Sequence, residues 1–263
     1  MPGTLVLAFR ENNLTLRVMP AAAATELVRH LERARAQHEE RAASPALAAR
    51  LDRLAAWQAS RLNATYADLA EQERYAPAIE FFQSDLYGAG DHSRRDADLA
   101  RVVPIMTHVL PEAVIRTVAC AMELSVLSHD LDRRMLERLA ARSRLSVAAY
   151  CDAFRALANR EERERQIALI IETGRALDRY VNKPFLGTTL AAMRHPARAA
   201  GLGALQTFLE RGFAAFGHMG GAREFLATIQ SRETELLNAI FAGDRAPFRD
   251  PPKLSRRARR APC

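Results

Sequence analysis

The stretch GALQTFLERGFAAFGHMGG, residues 203–221, places Leu205, Phe208, Leu209, Gly212, Phe213 and Phe216 at i, i+3, i+4, i+7, i+8 and i+11. That is the period of one face of an α-helix, whereas a strand would send neighbouring positions to opposite faces. Gly220-Gly221 ends the helix, because glycine takes the left-handed backbone that closes a helical C-terminus. The same period extends outward in both directions. Residues 222–242 form a last helix that aligns Phe225, Ile229, Leu236 and Ile240. Upstream, Asn159 caps a helix over 161–181 with Ile167, Ile170, Ile171, Gly174, Leu177 and Val181 on one face, and Ser146 caps 147–158. Pro111 opens a helix carrying Val114, Ile115, Val118, Met122 and Val126, with a bend expected near Ser125–Ser128.

Nearer the start, residues 21–43 are rich in strong helix formers. Ser44-Pro45 then begins a helix with Leu47, Leu51, Leu54, Trp57 or Gln58, and Leu62 on its apolar side. Pro77 starts a short helix over 78–87. Ser93 or Asp91 caps a helix over 94–110 that Pro104 kinks or breaks. Short helices are expected over 184–193 and 196–200. The alternating strands of a doubly wound or barrel fold are missing, and no repeat of solenoid length recurs. The expected architecture is all-α: a single-domain bundle of about eight to ten helices around one core.

Three segments differ in composition. Residues 1–20 read as an extension, either a short hairpin or disordered; residues 21–242 as the helical domain; residues 243–263 as a basic, Pro- and Arg-rich disordered tail. The chain carries a net charge of +7, from 38 basic and 31 acidic residues. Seven basic and two acidic residues lie from Gly243 onward, so the tail holds +5 and residues 1–242 only +2. Any nucleic-acid binding is therefore expected to be weak, non-specific and confined to the tail, where Phe248 is the lone aromatic. Apolar residues make up 49% of the chain, enough for a core, and no run of them reaches the length of a membrane span. The apolar stretch at Leu5–Phe9 is too short for a secretory signal. Three scattered cysteines, Cys120, Cys151 and Cys263, do not make a disulfide framework, and a cytoplasmic location is expected.

Phe81-Phe82-Gln83-Ser84-Asp85-Leu86-Tyr87-Gly88 resembles the signature of a bacterial family of uncharacterised proteins, the FFLEELY-motif proteins. Both phenylalanines, an acid, the leucine and the tyrosine match, while Gln83, Ser84 and Asp85 depart from the motif. Arg94-Arg95-Asp96-Ala97-Asp98 and Arg165-Gln166-Ile167 are similar to that family as well, and the likeness runs roughly from Thr25 to Phe241. It implies a helical fold, and it assigns no activity and no catalytic residue. On a helix Phe82 and Leu86 share one face with Phe81 displaced to the side, so the segment reads as wedged into the core, with Phe82 and Leu86 buried.

Motifs that carry chemistry are scarce. A di-iron carboxylate site needs Glu-x-x-His pairs; the nearest patterns are Glu26…His30 and Glu123…His129. A haem would have only single histidines such as His108, His129 or His218. No Gly-x-Ser-x-Gly is present, and Gly201-x-Gly203 is too sparse for a phosphate loop. Cys120 and Cys151 fall in apolar helical runs, where thiols are inert. No metal and no cofactor is expected. The densest polar cluster is Asp85, Tyr87, Asp91, Arg94, Arg95, Asp96 and Asp98. Arg94–Asp98 and Arg95–Asp98 have the spacing at which helical side chains meet, and the cluster reads either as an ion-pair network or as a polar ligand site. The run Arg160–Arg165 reads as a solvated helix start. The expected function is a non-enzymatic helical protein that binds a protein partner or small ligand, with a homo-oligomer compatible with the sequence. The alternatives are an enzyme or sensor with its site at Tyr87 and Arg94–Asp98, and nucleic-acid binding by the tail.

Overall fold

The computed structural model describes residues 22–82, 84, 92–139 (without the side chains of 107–109) and 145–248. Among these residues 84% are helical, and there are twelve helices and no strand, forming a single all-α domain. The expected extension over 1–20, the residues Asp85, Leu86, Tyr87 and Asp91, the side chain of His108 and the tail beyond 248 lie outside the described residues.

Helix α1 (Ala22–Ala43) ends just before Ser44, whose hydroxyl accepts the Leu47 amide at 3.3 Å to cap α2 (Pro45–Thr65). A cap of this kind stabilises a helix by about 1 kcal/mol. The short α3 (Ala67–Ala70) and α4 (Ala76–Phe81) follow. α5 (Ser93–Val109) begins at Ser93 itself, so Ser93 does not take the cap position, which His92 occupies. α5 runs unbroken through Pro104. α6 (Glu112–Arg138) is also continuous for 27 residues. The Ser128 hydroxyl accepts the Gln166 side-chain amide at 2.8 Å, so it is engaged between helices rather than competing with its own backbone.

Ser146 caps α7 (Val147–Ala156) through the Ala149 amide. Asn159 precedes α8 (Arg160–Val181) without a capping bond from its side chain. α9 (Leu186–Ala192) and α10 (Arg194–Ala199) are short, and α11 (Gly203–Met219) closes on Gly220 at φ 63°, before α12 (Arg223–Phe241). Of the expected stripe on α11, Gly212 and Phe216 are buried and Leu209 is 43% exposed, while Ala215 and Met219 join the buried face.

The expected single core is three clusters. Leu27, Leu31, Leu99, Val103, Ile115 and Met122 join α1, α5 and α6. Ile79, Ile171, Phe216, Phe225, Leu226 and Ile229 join α4, α8, α11 and α12. Leu51, Leu54, Met135, Tyr150, Phe154, Leu237 and Ile240 join α2, α6, α7 and α12. Gly174 lets α8 lie close to α12, since a Cβ there would sit 2.5 Å from Leu226 Cδ2. The chain after α12 turns back onto the body. Arg245 pairs with Asp152 at 2.6 Å, and the Phe248 ring lies 6.1 Å from Trp57 and 6.4 Å from Tyr150. The disordered tail expected from Gly243 is therefore corrected for residues 243–248, because an aromatic and a paired arginine anchor them.

Candidate functional site

Of the sequence-derived cluster around Arg94–Asp98, Asp96 and Asp98 each bond to another helix. Asp96 is buried and takes hydrogen bonds from His38 Nε2 on α1 at 3.0 Å and from its neighbour Arg95 Nε at 2.9 Å. Burial works against its charge, but His38 and Arg95 outweigh that and hold its carboxyl below the usual range. Asp98, also buried, accepts the Leu205 amide of α11 at 3.2 Å, with Arg101 4.0 Å away. Arg95 also lies over the Phe208 ring at 4.7 Å, and Arg94 is exposed. The expected Arg95–Asp98 contact gives way to Arg95–Asp96, because Asp98 turns to the exposed amide end of α11. Asp85, Tyr87 and Asp91 lie outside the described residues.

A different set of polar residues is brought together inside the molecule. Each occupies a place on an otherwise apolar stripe. On α2, Gln58 and Arg61 continue the face of Leu51 and Leu54. On α12, Glu233 stands between Ile229 and Leu237, at the position that the Phe225–Ile229–Leu236–Ile240 stripe skips. On α8, Arg163 lies one turn before Ile167. On α6, Asp132 lies one turn after Ser128 and one before Leu136. A charged residue in an apolar register is the sequence signal that was available for these positions. The reading of Arg160–Arg165 as solvated is corrected at Arg163, which is 5% exposed.

These side chains surround a cavity of about 140 Å³ between the second and third core clusters. Ile79, Phe82, Ile167, Ile170 and Ile229 supply apolar wall. The polar wall has two parts. In one, Arg61 Nη1 donates to Glu233 Oε1 at 2.7 Å, and the Tyr66 hydroxyl donates to the same oxygen at 2.7 Å. Burial opposes the Arg61 charge, yet Glu233, Tyr150 and Tyr66 outweigh it and hold that guanidinium firmly protonated. In the other part, Gln58 donates to Asp132 Oδ1 at 2.9 Å, and Arg163 Nη1 donates to Gln166 Oε1 at 3.2 Å. Arg163 lies over the Phe154 ring at 4.3 Å. Burial raises the Asp132 carboxyl pKa, with Gln58 and Arg163 offsetting it only in part, and burial lowers the Arg163 pKa. Among the described residues the buried Arg163 Nε and Nη2 and Arg61 Nε have no hydrogen-bond partner. Buried N–H groups without partners are rare, and on a charged group they are costly.

The FFLEELY-like segment contributes to both core and cavity. Phe81 is 5% exposed and packs 5.5 Å from Phe208, against the bare backbone of Gly212. Phe82 is half-buried rather than buried, lies 6.1 Å from Phe216 and 5.9 Å from Phe225, and lines the cavity. Adjacent helical positions point about 100° apart, so one ring reaches α11 while the other reaches the cavity wall. Neither cysteine of the described residues lines this cavity. Burial pushes the Cys151 thiol up to about 11, and it pushes Cys120 upward as well.

No described helix is long and apolar enough to cross a membrane. Among the described residues no group of three or more His, Cys, Asp or Glu side chains is arranged to hold a metal ion. No curated protein and no solved structure matches the chain. Residues 37–247, which hold every polar residue of the cavity wall, match the family described as a domain of unknown function, DUF8198, and the chain belongs to that family.

Proposed function

We propose that this protein binds a small molecule in the cavity lined by α2, α4, α6, α7, α8 and α12. The observation that carries the reading is a cavity of about 140 Å³ whose wall combines isoleucines and aromatics with buried charged side chains. An engineered apolar cavity of roughly 150 Å³ accepts a benzene-sized guest. Ligand sites share this composition, mostly apolar with a few placed polar groups. Binding is favoured over turnover by the bonding of the wall: the Ser128 hydroxyl is held by Gln166 and Glu233 by Arg61 and Tyr66, so neither stands as a free nucleophile or base. The described members of the Arg94–Asp98 cluster are engaged between helices, which favours a structural role for them over a second site.

The single tryptophan makes the reading testable. Trp57 lies 4.5 Å from Tyr150, and Tyr150 lines the cavity, so occupancy should alter Trp57 emission. Toluene is expected to change that emission saturably and to raise the melting midpoint. Ile170→Phe, which fills part of the cavity and leaves Trp57 the single tryptophan, should weaken both effects. Unsaturable changes that Ile170→Phe leaves untouched would show that the cavity takes no guest.

A further inference from the structure

This inference rests on the cavity being a ligand site, and it concerns what chemistry the site selects. Arg163 is 5% exposed and forms part of the cavity wall. Its Nη1 is committed to Gln166 Oε1, and its guanidinium lies over Phe154. Those two contacts set the plane and one corner of the group. What remains is the Nε and Nη2 pair, neither of which has a partner among the described residues. These two nitrogens form one edge of the guanidinium, with parallel N–H bonds at the spacing of two carboxylate oxygens. We propose that this edge is the receptor for the carboxylate of a small monocarboxylic acid whose compact apolar body, of about the size of one six-membered ring, fills the cavity.

The surroundings narrow the class further. Arg61 is paired with Glu233, and Arg163 makes no ion pair among the described residues. Asp132, on the same wall, is bonded by Gln58, and burial disfavours its charge, which weakens it as a counter-charge for Arg163. A dianion such as phosphate would bring a second negative charge beside Glu233 and Asp132 to a single unpaired guanidinium. Ile167, Ile170 and Ile229 offer the apolar body dispersion contacts and no polar partner. The volume admits an acid of benzoate size, about nine non-hydrogen atoms. Neither free nitrogen has surface open to water, from the cavity or from bulk, so the acid reaches them only when the wall side chains shift.

The test uses the full chain, with Trp57 emission and calorimetry as readouts. Benzoate is the probe, benzamide its neutral isostere, and inorganic phosphate the competing anion. Benzoate is expected to bind at least tenfold more tightly than benzamide, and phosphate not to bind. Arg163→Lys keeps the charge but loses the two-pronged edge, so it should shrink the benzoate-to-benzamide ratio at least fivefold. Should that variant not fold, Phe154→Leu removes the ring beneath the guanidinium and should lower the same ratio. Equal binding of benzoate and benzamide would overturn the carboxylate assignment and leave the cavity reading standing. A ratio that neither variant moves would also overturn it, by placing the carboxylate elsewhere. If benzoate, benzamide and toluene all fail to bind, both readings fall together.

Discussion

Glu233→Gln isolates the charge of the Arg61–Glu233 pair with little change of shape. The amide oxygen can still accept from Arg61 Nη1 and the Tyr66 hydroxyl, both now 2.7 Å from Glu233 Oε1. What disappears is the counter-charge of a guanidinium that keeps only 13% of its side-chain surface, against 17% for its partner. Removing one member of a buried pair costs about 3–5 kcal/mol, because the remaining ion is stranded in a poorly polarisable interior. The residual exposure of both side chains points to the lower end, about 3 kcal/mol. For a domain of this size each kcal/mol moves the midpoint by roughly 2–4 °C, so a fall of about 6–12 °C is expected. Urea unfolding followed by Trp57 emission, with thermal melts alongside, measures it. The double variant Arg61→Leu with Glu233→Leu completes the argument: replacing a whole buried pair by apolar side chains is often neutral or stabilising. A single-variant loss below about 1 kcal/mol, the value of a surface pair, would refute the reasoning by showing that solvent screens this site.

Asp132→Asn should raise the melting midpoint near neutral pH. Burial lifts the folded-state carboxyl pKa above its ordinary 3.8, so this group stabilises the fold when protonated, and that contribution is lost as pH rises through the raised value. Because asparagine stays neutral, its advantage should shrink as pH falls toward about 4, and a gain that grows in acid would contradict the sign. Phe81→Ala should cost about 3–5 kcal/mol and Phe82→Ala clearly less, since Phe82 is half-buried beside an existing cavity; denaturant midpoints compare them. In a Cys263→Ala background, Cys151 should react with a disulfide reagent only at the rate of unfolding, its thiol being buried and poorly ionised; rapid labelling of Cys151 in the native protein would count against the packing described. Phe248→Ala should change Trp57 emission and lower stability, because its ring packs on Trp57 and Tyr150; an unaltered spectrum would mean that this segment does not dock.

Helix class and most helix starts were legible in the sequence because they depend on local chemistry. Apolar period marked α8 and α12, Ser44-Pro45 and Ser146 marked α2 and α7, and Gly220 marked the end of α11. These signals act within a turn or two of chain, so the residues that carry them also decide the outcome. The polar site was not legible in the same way. Arg94, Arg95, Asp96 and Asp98 stand out as a dense charged run, but Asp96 and Asp98 are spent on a histidine and an amide from two distant helices. Gln58, Arg61, Asp132, Arg163 and Glu233 are scattered over four helices and resemble ordinary surface charges. Each alone carried only a faint mark, a polar side chain in an apolar register. The packing of α2, α6, α8 and α12 turned those marks into one cavity wall, because burial and the pairing of charges depend on which helices meet. The helices themselves are specified by neighbours in sequence. Whether Arg163 has a partner is specified by neighbours in space, and that is where the tertiary structure decided.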